Sequence, residues 1–120
     1  MRIFLIGFMG SGKTLLGKKI AAAMKVSFID LDKKVESQEK KTITEIFQSE
    51  GENYFRTVEA TVLRKTKRYA DVVVATGGGT PCFHDNMQWM NENGITVYLF
   101  AKSAELYHRL LSERENRPLI

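Results

Sequence analysis

The residues best suited to chemistry sit near the start of the chain. Gly7-Phe8-Met9-Gly10-Ser11-Gly12-Lys13-Thr14 fits the spacing G-x-x-x-x-G-K-[ST]. Glycines let successive backbone N–H groups curl around a polyphosphate with no Cβ in the way. A helix starting where the loop ends adds free N–H donors and partial positive charge. In that setting Lys13 reaches the β- and γ-phosphates of ATP, and the Thr14 hydroxyl is a ligand for Mg²⁺. ATP binding is therefore expected at Gly10, Ser11, Gly12, Lys13, Thr14 and Leu15. The competing reading is a glycine-rich turn before a helix. The context argues against it, since the apolar run Ile3–Ile6 leads in and the helix-compatible run Lys13–Met24 leads out.

Three further groups narrow the chemistry. Asp30-Leu31-Asp32 closes a short strand. At a strand end alternate residues point to one side, so both carboxylates can face one cleft. Phe55-Arg56 is followed one helical turn later by Glu59, and Gly77-Gly78-Gly79 follows a β-branched run. Each group has a plainer alternative. Asp30 and Asp32 can be a helix N-cap and its solvated neighbour, Arg56 a surface residue, Glu59 a solvated helix residue or an i,i+3 partner of Arg56, and the glycines a turn. A glycine run directly after a buried strand favours close backbone approach to a ligand.

The elements that must position these groups alternate between strand and helix. Strands are expected at Ile3–Ile6, Val26–Ile29, Val72–Ala75 and Ile95–Phe100, the last two buried. A helix begins at Lys33 and runs to Glu39; Thr42-Ile43-Thr44-Glu45 reads as a capping box for another that ends near Gly51. Asn53–Arg68 is a longer helix with Phe55, Val58, Val62 and Leu63 on one side. Asp85 caps a short helix that stops at Gly94 and holds Trp89 and Met90 in the core; Ser103 caps the last, with Leu106, Leu110 and Leu111 inward. The pattern predicts an α/β fold, a three-layer αβα arrangement around a central parallel sheet, in one domain over residues 1–120. Ligands of such sheets bind at the carboxyl ends of the strands. The loops at Gly7, Asp30 and Gly77 all lie at such ends, so they should converge.

Composition bounds the rest. At 120 residues, with 43% apolar and 27% charged residues, the chain reads as a soluble globular domain with no membrane-spanning run. Met1-Arg2 leads straight into a strand, with no signal-peptide pattern, and the single Cys82 makes no internal disulfide. A cytoplasmic monomer is the expectation. The net charge of +4 is carried by scattered basic residues without interleaved aromatics, so no nucleic-acid partner is expected. His84 and His108 lack metal-ligand spacing.

The ordered set G-x-x-G-x-G-K-[ST], D-x-D, F-R-x-x-E, G-G-G and R-P-L, the last as Arg117-Pro118-Leu119, resembles the shikimate kinases over essentially all 120 residues. The resemblance implies a P-loop kinase fold of the nucleoside-monophosphate-kinase type. It also implies transfer of the ATP γ-phosphoryl group to the 3-hydroxyl of shikimate, with Mg²⁺, in aromatic amino-acid biosynthesis. By the same resemblance Lys13 steadies the migrating phosphoryl group, and Thr14 with Asp30 holds the metal. Asp32 binds the shikimate hydroxyls and orients or deprotonates the attacking one; Arg56 clamps the carboxylate. Glu59 orients Arg56 or the ring hydroxyls, and Gly77, Gly78 and Gly79 bring backbone to the substrate. Arg117 enters from a lid to neutralise phosphate charge, and Arg109 stacks on adenine. The family pattern continues past Ile120 with lid, strand, helix and a second carboxylate-binding arginine, so against it the chain reads as truncated at its C-terminus. A gluconate or nucleoside-monophosphate kinase and a non-catalytic nucleotide-binding module remain as alternatives.

Overall fold

Four parallel strands lie in the order β2-β3-β1-β4, where β1 is Arg2–Gly7, β2 Ser27–Asp30, β3 Val72–Ala75 and β4 Ile95–Leu99. This is a computed structural model, and it describes residues 1–7 and 12–99. Gly10, Ser11, Ser103, Leu106, Arg109 and Arg117 lie outside the described residues, as does Phe100 at the end of the expected last strand.

The strands alternate their side chains between two cores, which is what stacks the layers. Phe4, Ile6, Ile29, Val72 and Val74 face one side, with Leu31, Val35, Ile46, Phe55, Val62, Leu63 and Met90. These come from α2 (Leu31–Glu39), α3 (Ile43–Glu50), α4 (Glu52–Lys65) and α5 (Asn86–Asn93). Leu5 and Val73 face the other side, against Ala21 and Ile20 of α1 (Lys13–Met24). β3 is buried along its whole length, as a central strand with both faces covered must be. The register aligns Leu5 of β1 and Asp30 of β2 with Ala75 of β3, so β2 and β3 end at one level and β1 runs two residues further, to Gly7.

Local signals set the boundaries. The capping box forms in full: Glu45 N–H donates to Thr42 Oγ1 at 3.1 Å, and Thr42 N–H donates to Glu45 Oε1 at 2.9 Å. Gly12 carries φ 91°, a left-handed turn that glycine adopts without cost as the chain enters α1. The long helix ends at Lys65 and tightens into a 3₁₀ turn over Thr66–Arg68.

Three expectations need correction. The helix predicted from Lys33 begins at Leu31, because Leu31 is fully buried and Asp30 caps it, its Oδ1 accepting from Lys33 N–H at 3.2 Å. Asp85 makes no side-chain cap: its backbone is left-handed at φ 57°, whereas a capping residue is extended. β4 is not a buried strand. It pairs only with β1 among the described residues, and Ile95, Val97 and Tyr98 are exposed, leaving Leu99 buried.

Candidate active site

The three strand ends do converge. Gly12, Lys13, Thr14, Leu15, Asp30, Asp32, Gly77 and Gly78 line one cavity of about 660 Å³, together with Lys18, Lys33, Glu36, Ile43 and Thr76. α1 delivers the first four and α2 delivers Asp32. The segment after β3 delivers the glycines. Asp30 and Asp32 share the cavity, but not by strand alternation: Asp30 ends β2 and Asp32 stands in the first turn of α2.

On the α1 wall, Lys13 is buried and its Nζ donates to the Gly7 carbonyl at 2.6 Å. Burial disfavours the ammonium and lowers its pKa, while Asp32 and then Asp30 oppose the shift. Thr14 Oγ1 donates to Asp30 Oδ2 at 3.1 Å. A hydroxyl beside a carboxylate is a hard oxygen pair, the donor chemistry Mg²⁺ takes up while keeping waters and phosphate oxygens for its other positions. No group of three or more His, Cys, Asp or Glu residues arranged for a metal is found among the described residues. The Asp32 carboxyl is pushed above its ordinary value by burial first, then by the like charges of Asp30, Glu59 and Glu36, against the pull of Lys13.

Gly77 and Gly78 of the glycine run line the cavity as well, and α4 packs beside that run. Glu59 is fully buried, which excludes the solvated-helix reading. Its Oε1 accepts from Arg56 Nη1 at 3.1 Å, and Arg56 Nε approaches Glu52 Oε2 at 3.4 Å. The Arg56 guanidinium lies 4.1 Å from the centre of the Phe83 ring and 5.1 Å from that of Phe55. Held by carboxylates and stacked on a ring, it is no free surface arginine. Neither it nor Gly79 lines the cavity, but the two are in close contact: a Cβ at Gly79 would come 2.7 Å from Arg56 Nη2. A Cβ at Gly77 would come 3.0 Å from Asp32 Oδ1 and 3.4 Å from Glu59 Oε2. The glycines are therefore required for close approach: the loop backbone lies where side chains would otherwise separate Asp32, Glu59 and Arg56. Gly79→Ala is expected to displace the guanidinium and to leave the melting temperature close to wild type, since the displaced group is the end of a flexible chain.

The sequence reading did not single out Thr80, Asn86, Phe83 or Thr76. Thr80 and Asn86 are buried at 0% exposure, and Thr76 Oγ1 donates to the Leu5 carbonyl at 2.8 Å. Each also has a partner far off in sequence, Glu59 for Thr80, Arg64 for Asn86, Arg56 for Phe83 and Leu5 for Thr76, so no short motif marks them. The one local hint is a threonine placed between a glycine run and a proline.

The chain was compared with known proteins. A family model described as shikimate kinase matches residues 9–120. The curated shikimate kinase of Phocaeicola vulgatus is 50% identical over 119 residues, which is 99% of this chain and 68% of that protein. The crystal structure of shikimate kinase from Bacteroides thetaiotaomicron superposes with a TM-score of 0.83 at 46% identity, covering 98% of this chain and 67% of that one. The Acinetobacter baumannii shikimate kinase, solved in complex with shikimate, gives a TM-score of 0.81 at 38% identity over 98% of this chain and 65% of that one. The chain thus spans about two thirds of the length of the relatives it matches.

Proposed function

The chain belongs to the shikimate kinase family, and we propose that its two facing walls divide one reaction between them: the α1 wall holds ATP, and the wall of Asp32, Arg56 and the glycine loop holds shikimate. ATP is the family's co-substrate. The observation that supports the division is the placement of Asp32 and Glu59 around Gly77 and of Arg56 around Gly79, next to the cavity that Lys13, Thr14, Asp32 and Gly77 line.

Shikimate is an anion with several hydroxyls. Arg56 is suited to the carboxylate, because a planar guanidinium meets a carboxylate through two parallel N–H bonds. Glu59 and the Phe83 ring hold that guanidinium in one orientation before substrate arrives. Asp32 accepts a hydrogen bond from the attacking hydroxyl, aligns its oxygen with the γ-phosphorus and takes its proton as the new O–P bond forms and the bond to ADP breaks. Lys13 lies at the phosphate end of the cavity, where its charge offsets the charge on the transferring group. Thr14 and Asp30 would hold Mg²⁺, which supplies charge neutralisation on the phosphate oxygens. Arg117 is proposed to close over the site and exclude water, so that ATP is not hydrolysed without acceptor. A cytoplasmic location is proposed with the ATP requirement. No helix among the described residues is long and apolar enough to cross a membrane.

Arg56→Ala tests the division. It should raise the KM for shikimate about a hundredfold, as loss of a charge-assisted bidentate contact does, and leave the KM for ATP within about twofold. Equal effects on both substrates would contradict separate walls. Unchanged shikimate affinity would remove Arg56 from the acceptor site.

A further inference from the structure

The glycine loop is tied to Arg56 by a buried hydrogen-bond chain that lies outside the phosphate wall. Its centre is Thr80, at 0% exposure. The Thr80 hydroxyl accepts from Gly77 N–H at 2.8 Å and lies 2.8 Å from Glu59 Oε2. A hydroxyl carries one proton, and the amide brings its own, so the Thr80 proton goes to the carboxylate. Glu59 gives its other oxygen to Arg56 Nη1. Thr80's main chain is fixed as well. Its N–H donates to the Gly77 carbonyl at 3.3 Å, and its carbonyl accepts from Asn86 Nδ2 at 2.9 Å. Buried Asn86 takes Arg64 Nη1 on Oδ1 at 2.7 Å, and Arg64 Nη2 donates to the His84 carbonyl at 2.7 Å. Every polar group of Thr80 is therefore in use, and two of its bonds join segments that meet the acceptor wall from different elements.

We propose that Thr80 is a positioning residue for acceptor binding: its hydroxyl couples the path of the Gly77–Gly79 backbone to the orientation of the Arg56 guanidinium, through Glu59. This rests on the acceptor wall assigned above. Thr80 touches neither substrate. It sets where the loop amides and the guanidinium stand relative to each other, and a bound carboxylate and its hydroxyls need both in register. A space-filling threonine would work equally well as valine. A positioning hydroxyl would not, because valine keeps the shape and leaves Gly77 N–H and Glu59 Oε2 without their partner. Serine keeps the hydroxyl and loses only a methyl.

The test is steady-state kinetics on the complete protein, with shikimate and ATP varied separately. Thr80→Val should raise the KM for shikimate about tenfold or more, the effect of a small misplacement of binding groups. The KM for ATP should stay within about twofold, and Thr80→Ser should return both close to wild type. An equal rise for both substrates, no rise for shikimate, or a serine variant as impaired as valine would overturn the proposal. If Thr80→Val does not fold, Thr80→Ala is judged by the same criteria. Failure of both to fold beside a normal serine variant would also overturn it, because the hydroxyl would then hold the fold and not the acceptor. Arg56→Ala run alongside separates the two levels. If it leaves shikimate KM unchanged, the acceptor wall itself is wrong; if it raises that KM while Thr80→Val does not, only the coupling fails.

Discussion

Asp32→Asn is expected to lower kcat by about 10²–10⁴-fold, the range for a lost general base, and at the same time to raise the melting temperature by roughly 2–4 °C. The two effects share one cause. Burial and the like charges of Asp30, Glu59 and Glu36 push the Asp32 carboxyl above its ordinary value, with Lys13 only partly offsetting them. A raised pKa means that the folded chain holds this proton more tightly than the unfolded chain. The stability it contributes is present below the unfolded value and is lost as pH rises through the folded value. At neutral pH the ionised carboxylate therefore costs stability, and the isosteric amide removes that cost. The modest size reflects the residue's partial exposure, which screens the repulsion. The proposed reaction needs Asp32 ionised, so kcat/KM in the wild type should rise with pH along an acid limb lying above the ordinary aspartate range. Differential scanning calorimetry at pH 7, beside a pH–rate profile, checks both halves. A destabilised asparagine variant would mean that the Lys13 attraction outweighs burial and repulsion.

Lys13→Ala is expected to lower kcat about 10²–10³-fold, as loss of one preorganised charge at the transferring group does, with little change in melting temperature. Lys13 is buried, and burial lowers its pKa. The folded chain therefore holds this proton less tightly than the unfolded chain, and the contribution to stability grows as pH rises through the folded value toward the unfolded one. Near neutrality the buried ammonium contributes little net stability. Its removal gives up the bond to the Gly7 carbonyl and the attraction to Asp32 and Asp30, but it also relieves a desolvation cost of opposite sign. Single-turnover transfer measured at saturating ATP, beside the thermal midpoint, separates a catalytic loss from an unfolded variant. A fall of many degrees in the midpoint would show instead that Lys13 holds the loop together.

The strand β1 and the helix α1 were legible because their signals are written locally: an apolar run before the glycine spacing and a helix-compatible run from Lys13 to Met24. The Thr42–Glu45 capping box was legible for the same reason: both of its hydrogen bonds close within four residues. Asp32 was placed in the right cavity for the wrong reason. The Asp-Leu-Asp alternation looks like a strand end, but Leu31 fits the core beside Val35 only if the helix starts there. What reached beyond local spacing stayed hidden. The run Ile95–Phe100 reads as a buried strand, yet burial depends on where the strand falls in the sheet order, and β4 lies at the edge of the described sheet. The links from Gly77 through Thr80 to Glu59, and from Thr80 through Asn86 to Arg64, join residues up to 22 positions apart. Thr80, Asn86 and Arg64 are ordinary polar residues in sequence, and their links form only when α4 packs beside the loop after β3.

The most direct test of the two-walled site is ADP release from Mg·ATP by the complete protein, measured with and without shikimate and with Lys13→Ala as the blank. The account predicts release that depends on shikimate, is negligible without it, and is lost in the blank. Release independent of shikimate, or release driven by gluconate or a nucleoside monophosphate and not by shikimate, would contradict the acceptor assigned to Asp32, Arg56 and the glycine loop.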